Sequence, residues 1–193
     1  MKKSLGAKTL AFPAPVWVVG SYDKDGKPNA MVAAWGGICC SRPPMVSVSL
    51  RAATYSHAGI MARRAFTISI PSEAHASEAD YLGIASGRDT DKFTRSGLTP
   101  KRAENVDAPY VEEFPVVIEC RVAHVNELGM HTQFIGEIVD VRADESVLDA
   151  EGRPDIEKIR PLIYCTGTSN YHGVGPGLGK AFSIGKKYIE SLA

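Results

Sequence analysis

The chain has 193 residues, 44% of them hydrophobic, and its 22 basic residues are balanced by 22 acidic ones. This length favours one domain, so we expect a single domain over residues 1–193. The zero net charge argues against nucleic acid as a partner, because phosphate backbones are bound by surfaces of strong positive potential. No apolar run approaches the roughly 20 residues of a membrane-spanning helix, so we expect no membrane partner.

The N-terminus and the cysteines together predict a cytoplasmic protein. Residues 1–3 are typical of the basic start of an export signal, but Lys8, Pro13 and Pro15 interrupt the apolar stretch that would have to follow. The four cysteines show neither CxxC spacing nor the framework of a small disulfide-bonded domain; they are Cys39, Cys40, Cys120 and Cys165. Reduced thiols in a cytoplasm are the simplest interpretation.

The first part of the chain alternates β-rich runs with turn signals. Strands are predicted over Val16–Ser21, Asn29–Trp35 and Met45–Leu50, with a turn at Asp23–Gly26 after the first. A helical pattern follows from Thr54 to Arg64, with Thr54 as its N-cap. We therefore expect a meander of antiparallel strands that leads into one helix.

The middle of the chain leaves the sheet and then returns to it. Ala65–Ile70 is predicted as a strand, and the polar segment after it carries short helices near Glu78–Ala85 and Thr90–Arg95. Two long β-type runs follow, Val116–Val125 and Thr132–Val141.

A last short strand is predicted over Leu162–Cys165, ahead of a glycine-rich tail. Strands dominate, the helices are short, and no strand alternates regularly with a long helix. The pattern therefore predicts a mainly β fold with short helices, and we expect a closed β-barrel rather than a doubly wound sheet.

Three familiar chemistries fit the sequence poorly. The tail Gly173–Lys180 matches neither GxxxxGK nor GxGxxG, and too few residues follow it for the helix of a phosphate loop. The five histidines form no HExxH motif and no zinc-finger spacing with cysteines, so we expect no metal site. Gly167–Tyr171 lacks the closing glycine of the GxSxG motif of serine hydrolases.

A planar ring would fit beside the strand Asn29–Trp35. Its small residues Ala30, Ala33 and Ala34 would let such a ring approach the backbone, whose amides can hydrogen-bond it. The spacing leaves an alternative open, in which these residues pack against a neighbouring helix.

Two further segments suit a phosphate dianion next to that ring. Arg51, Thr54 and Ser56 stand where a strand ends and a helix begins, and a helix N-terminus offers unpaired N–H groups and partial positive charge. Ser86–Phe93 places a serine, a flexible glycine and two cations at another short helix, where they would close over the same phosphate. Ordinary helix capping and a solvated surface turn are the respective alternatives.

Several motifs occur in an order that is informative as a whole: Pro15–Gly20, Asp25–Asn29, Ala33–Leu50, Ser86–Arg88, Asp91–Phe93 and His131–Val139. Together they resemble the flavin reductase-like, FMN-binding split-barrel family, with flavoredoxins as the most similar subset. The similarity extends from about Pro15 to Tyr188. It implies a split β-barrel, noncovalent FMN and a homodimer whose interface borders the flavin.

The resemblance also implies which residues hold the cofactor. The isoalloxazine would lie along Ala30, Met31, Val32, Ala33, Ala34 and Trp35. The ribityl chain would lie beside Ser49, Leu50 and Arg51, and the phosphate would face Thr54, Tyr55, Ser56, Ser86 and Lys92.

His131 is the candidate catalytic residue. In the reductases that the chain resembles, the late-strand histidine follows Gly-Asp and lies near the flavin face where nicotinamide stacks, whereas Gly129 and Met130 precede His131 here. The missing acid weakens the expectation of a reductase-type nicotinamide site. The imidazole would tune the flavin potential or relay protons, and the alternative is a core or interface histidine.

Two pairs of residues are open to two interpretations. One or both of Cys39 and Cys40 are interpreted as small buried hydrophobes at a strand end, in preference to thiols that exchange electrons. Trp35 and Tyr171 either cover the flavin or belong to the core or a dimer interface.

The resemblance implies oxidoreduction, and three hypotheses follow. The first is an FMN-binding flavoprotein, flavoredoxin-like, that carries electrons between a reduced donor and a protein or small-molecule acceptor. The second is an NAD(P)H-dependent FMN reductase with NAD(P)H as a transient donor. The third, of another class, is a nonredox flavin-binding or storage module. One pocket serves all three, so the sequence decides neither the hypothesis nor whether the chain is an enzyme.

Overall fold

The computed structural model describes residues 1–190, and most of its regular elements are strands. The strands are β1 (Ala14–Pro15), β2 (Trp17–Tyr22), β3 (Pro28–Ala33), β4 (Gly36–Ser41), β5 (Pro44–Arg51), β6 (Ala65–Ile70), β7 (Pro100–Arg102), β8 (Pro109–Val111), β9 (Val116–Leu128), β10 (His131–Ala143), β11 (Ile163–Cys165) and β12 (Asn170–His172). The α helices are α1 (Tyr55–Arg63), α2 (Ala76–Ile84), α3 (Lys92–Ser96), α4 (Ile156–Ile159) and α5 (Lys187–Glu190), and 3-10 turns lie at Glu73–His75 and Glu145–Val147.

Seven strands form one antiparallel sheet in the order β3-β2-β6-β9-β10-β5-β4. Strands far apart in this order share one core, to which β2 contributes Val19, β5 contributes Leu50 and β10 contributes Phe134. The sheet therefore curls around a common interior. The predicted class, mainly β with short helices, is confirmed.

The expectation of a closed barrel is wrong. Within the described residues, the edge strands β3 and β4 do not pair with each other. The barrel therefore stays split between these two edges, and residues at the ends of β3 and β5 line the cleft described below.

Alternating burial explains how β5 closes the interior. Val46, Val48 and Leu50 are buried, whereas the intervening Ser47 and Ser49 are only partly covered. A strand turns successive side chains to opposite faces, so this period of two places one set in the core. The other set is left free to build a site.

A second core holds the helical excursion against the outside of the barrel. Val18 of β2 and Ala30 of β3 pack with Leu82 of α2 and Phe93 of α3. The small sheet β1-β11-β12 packs beside them through Leu162. Because α2 rests on β3, the loop after α2 is brought to the start of α1.

Most predicted elements are found with slightly shifted ends. The strand Ala65–Ile70 is confirmed as β6 at both ends. Thr54 precedes α1 as expected, but its hydroxyl donates to the Arg51 carbonyl at 2.9 Å and makes no side-chain cap. Strand β4 was not predicted, since its two leading glycines give little β signal.

The four cysteines are all free thiols. Cys39 is exposed on the edge strand β4 and Cys40 is half-buried, so the interpretation of this pair as buried hydrophobes is wrong. An edge strand has no neighbour to cover it on one side, which explains the exposure. Among residues 1–190, none of the helices combines the length and the apolar character that a membrane crossing requires.

Candidate functional site

A cleft of about 390 Å³ lies where the barrel is split. One wall is the end of β3 with the loop after it, and another is the end of β5. The residues that line it are Val16, Met31, Val32, Ala33, Ala34, Trp35, Ser49, Leu50, Arg51, Thr54, Asp80, Gly83, Ile84, His131, Tyr164 and Tyr171. Most of these side chains are apolar, as is typical of a site for a flat organic ring.

Sheet register fixes the positions of the polar groups in this cleft. His131, the first residue of β10, is paired directly with Arg51, the last residue of β5. The N–H of Ser49 donates to the Trp35 carbonyl at 2.8 Å, which holds the loop after β3 against β5. The imidazole and the guanidinium are therefore carried into the cleft by adjacent strand ends.

Two tyrosines of the small sheet also line the cleft. Tyr164 and Tyr171 are cross-strand partners with ring centroids 5.8 Å apart. The Tyr171 hydroxyl donates to Asp80 Oδ1 of α2 at 3.0 Å. Burial, and secondarily this bond to Asp80, raises the pKa of Tyr171 to about 12. Tyr171 is therefore a neutral hydrogen-bond donor at physiological pH.

A smaller polar pocket of about 260 Å³ continues the cleft. The two share Met31, Thr54, Gly83 and Ile84, so they adjoin each other. The remaining residues of the polar pocket come from the start of β3, the start of α1, the loop after α2 and the start of α3: Asn29, Ala53, Tyr55, Ser56, Ala85, Ser86, Gly87, Arg88 and Lys92.

Internal hydrogen bonds orient the donors of the polar pocket. Asn29 Nδ2 donates to Ser56 Oγ at 2.8 Å, and the Arg88 N–H donates to Ser86 Oγ at 3.2 Å. A hydroxyl that accepts in this way still has its own hydrogen to donate. Arg88 Nη1 donates to the Ala53 carbonyl at 2.9 Å, which holds the guanidinium beside the start of α1.

Lys92 is the buried cation of the polar pocket, with only 5% of its surface exposed. Its Nζ donates to the carbonyls of Ala30 and Leu82, both at 2.8 Å. An ammonium has three hydrogens, so one is left for a further acceptor. Desolvation lowers the pKa of Lys92 to about 8.

The structure brings most of the residues proposed from the sequence into these two spaces. The cleft holds Met31, Val32, Ala33, Ala34, Trp35, Ser49, Leu50, Arg51, Thr54 and His131. The polar pocket holds Tyr55, Ser56, Ser86 and Lys92, and it also shares Met31 and Thr54. Ala30 lines neither, because its side chain is fully buried in the second core.

The structure separates two arginines that the residue pattern had placed at one phosphate. Arg51 lines the cleft and not the polar pocket, whereas the resemblance implies a place for it beside the ribityl chain. Arg88, one of the two cations of Ser86–Phe93, lines the polar pocket. Asp80 and Tyr164 were missed, since neither carries a local sequence signal and both reach the site through tertiary packing. Among residues 1–190, no three His, Cys, Asp or Glu side chains are grouped to hold a metal ion.

Comparison with known proteins gives the family. A model described as the flavin reductase like domain matches residues 9–174. The chain belongs to this family. The solved flavoredoxin of Desulfovibrio vulgaris (Miyazaki F) is 57% identical, with 96% of this chain and 100% of that chain covered and a TM-score of 0.93.

Two further similar proteins have lower sequence identity to the chain. The solved flavoredoxin of Methanosarcina acetivorans is 29% identical and has a TM-score of 0.88, with 97% of this chain and 100% of that chain covered. A protein of Pseudomonas putida named flavin reductase is 27% identical over 142 residues, which are 71% of this chain and 78% of that protein. The family and the split-barrel fold inferred from the sequence are thus confirmed.

Proposed function

We propose that the chain binds FMN noncovalently and carries electrons between a reduced donor and a protein or small-molecule acceptor. The observation that carries this proposal is that a largely apolar cleft adjoins a pocket of hydrogen-bond donors and cations, with Met31 and Thr54 lining both. FMN has the same two parts, a flat ring system and a phosphate dianion. The similarity to flavoredoxins supports the same assignment.

The donor set of the polar pocket fits a phosphate. Arg88 and Lys92 supply positive charge, and Ser56 and Ser86 supply hydroxyl hydrogens. Charge-assisted hydrogen bonds of this kind are the strong ones. The start of α1 adds backbone N–H groups and the positive end of the helix dipole.

The cleft fits the ring system. Ala33 and Ala34 have small side chains that would leave room for a ring, and Tyr164 and Tyr171 add aromatic lining. Backbone amides of the loop after β3 would hold its nitrogens and oxygens. When bound, FMN supplies one- and two-electron redox chemistry, and the protein sets its position, polarity and access. His131 is placed to hold or move a proton at its imidazole nitrogen beside the ring.

An NAD(P)H-dependent flavin reductase is the second candidate function. The observation that favours it is the position of His131 and Arg51 side by side at the cleft, where an imidazole and a cation would meet a nicotinamide nucleotide. The relative named flavin reductase in Pseudomonas putida supports the same alternative.

Anaerobic reduction distinguishes the candidates. The protein is saturated with FMN, its visible absorbance is followed, and NADH or NADPH is added without oxygen. Bleaching within seconds supports the reductase; slow bleaching that a reduced protein donor accelerates supports the electron carrier. A bound flavin that resists both nicotinamides and dithionite would support the storage module. Protein that takes up no FMN would contradict all three.

We also propose a homodimer in a reducing cytoplasm. Edge strand β4 exposes Ile38 and Cys39 next to an unpaired row of backbone groups, which is a surface that a second copy would cover. The free thiols fit a reducing compartment. Sedimentation equilibrium of the wild type and of Ile38→Glu tests the dimer, since a monomeric wild type would contradict it.

A further inference from the structure

A second apolar cavity, about 500 Å³ in volume, adjoins the flavin cleft. The segment between Thr9 and Pro15 lines one side of it, and Ala34, Trp35 and Gly36 line the other. We call it the N-terminal cavity. Ala34 and Trp35 line both spaces, so the N-terminal cavity continues the cleft at the end away from Arg88 and Lys92.

The chemistry of the N-terminal cavity differs from that of the polar pocket. None of the described residues that line it carries a charge. Phe12 is 60% exposed and Trp35 is 37% exposed, so two aromatic rings are available for stacking, and Pro13 and Pro15 add flat apolar surface. An anionic ligand would lose its hydration there without gaining a cation, which disfavours carboxylates and dinucleotides. A neutral, planar, apolar molecule would lose little and gain ring contacts.

We propose that the N-terminal cavity binds a neutral aromatic acceptor of the quinone class. The inference rests on the proposed function, because it names the small-molecule acceptor that would meet the flavin. Reduction of a quinone to a hydroquinone takes up two electrons and two protons. The fully reduced, protonated flavin would supply the two electrons and the two protons and would itself become oxidised. The cavity volume lies within the range of about 300–1,000 Å³ that is typical of small-ligand sites.

Two variants test the lining of the N-terminal cavity, and one serves as a control. Ala11→Glu places a carboxylate in the cavity, and Phe12→Ala removes one of its rings. Leu5→Glu adds the same charge to the same exposed segment but lies outside the cavity. Ala11, Phe12 and Leu5 are exposed, so none of these changes disturbs the barrel core.

Binding is measured on the full-length, FMN-saturated, oxidised protein, which cannot reduce the probe. 1,4-Naphthoquinone is titrated by calorimetry, and its 2-sulfonate serves as an anionic probe with the same ring. We expect Ala11→Glu to raise the Kd of naphthoquinone about tenfold or more and Phe12→Ala to raise it about three- to tenfold. Leu5→Glu and the wild type should agree within about twofold, and the sulfonate should bind much more weakly than the parent quinone.

FMN affinity is measured by absorbance on the same samples, and it should agree within about twofold among all variants, since none of the changed residues lines the cleft. Protein that takes up no FMN contradicts the proposed function, and naphthoquinone titration of that unloaded protein still tests the N-terminal cavity. Equal naphthoquinone Kd values for Ala11→Glu and Leu5→Glu would overturn the inference. A second result would also overturn the inference: the wild type is a dimer that binds no naphthoquinone, and Phe12→Ala converts it to a monomer. A second copy of the chain would then fill the cavity.

Discussion

At the scale of single residues, the phosphate end of the site depends on two cations with different surroundings. Arg88 is exposed and Lys92 is buried, so they should respond to different measurements. The sequence pattern placed both in one segment but did not indicate which would be desolvated. That distinction depends on α2, which is packed over Lys92 and supplies the Leu82 carbonyl.

Arg88→Ala should weaken FMN about tenfold while riboflavin affinity changes by less than about twofold, because only FMN carries the phosphate. Fluorescence titration with the two ligands gives both Kd values. Arg95→Ala is the control, since Arg95 is exposed on α3 outside the polar pocket. Equal losses for FMN and riboflavin would contradict the assignment of Arg88 to the phosphate.

The low pKa of Lys92 predicts a pH-dependent stability. Folding lowers the pKa of Lys92 from 10.5 to about 8, so between these values the unfolded chain holds more protons than the folded chain. The free energy of unfolding of the wild type should therefore rise with pH across this window, relative to Lys92→Met, by up to about 3 kcal/mol. Urea unfolding from pH 7 to 10.5 measures it.

Two controls belong to the Lys92 experiment. Lys8→Met removes an exposed lysine and should follow the wild-type curve at every pH. Bound FMN should flatten the difference, because a phosphate beside the ammonium raises its pKa. Parallel curves for the wild type and Lys92→Met would show that the ammonium is not desolvated.

At the scale of elements, the site depends on how the β11–β12 pair and the loop after α2 are held. Both lie outside the main sheet. The Tyr171–Asp80 bond ties β12 to α2, and Gly87 lies directly against Asn29 and Tyr55.

Tyr171→Phe should lower the free energy of unfolding by about 1 kcal/mol, because it removes a single partly exposed hydrogen bond. It should also weaken FMN a few-fold, since the tyrosine wall is then free to move away from the cleft. Tyr164→Phe is the matched change, because the Tyr164 hydroxyl bonds only within its own hairpin, to Ser169. Urea unfolding and FMN titration measure both effects. Loss of FMN affinity in Tyr164→Phe alone would contradict the role of the Asp80 bond.

Gly87→Ala should weaken FMN more than riboflavin. A Cβ at position 87 would lie 2.4 Å from Asn29 Oδ1 and 2.5 Å from Tyr55 Cδ1, so the loop would have to move away from the phosphate end. Gly37→Ala is the control, because no atom lies within 4 Å of its added Cβ. Fluorescence titration gives the Kd values for FMN and riboflavin, and the FMN Kd should rise in Gly87→Ala but not in Gly37→Ala. Wild-type affinity in Gly87→Ala would show that the loop can shift without cost.

At the scale of the whole molecule, the cleft joins distant parts of the chain. Ala33, Asp80, His131 and Tyr164 all line one space. A ligand held by all of them should stabilise the entire fold, by about 2.7 kcal/mol at a concentration one hundredfold above its Kd. Thermal unfolding with and without FMN measures this, with riboflavin at the same concentration as the weaker comparison. An unchanged melting temperature would contradict binding at the cleft.

Local patterns were sufficient for the longer strands other than β4, whereas most residues of the site were implied by the resemblance to the family. β6 was predicted to the residue, and the period of two along β3 already separates Ala30 from Ala33, which the sequence analysis did not use. The residue pattern put both Arg51 and Arg88 at the phosphate, and it could not separate them, because which of them lies in the polar pocket depends on how the loop after α2 packs. The lack of pairing between the edge strands β3 and β4 is likewise a result of tertiary packing.

One short strand carries both ends of the proposed FMN site. Asn29 lies in the polar pocket and Ala34, just after β3, lies in the cleft, five residues further along an extended backbone. At about 3.3 Å per residue, the two ends are roughly 17 Å apart, a spacing set by peptide geometry. The extended segment from Asn29 to Ala34 thus selects ligands by their length. A molecule too short to touch both ends gains the contacts of one end only.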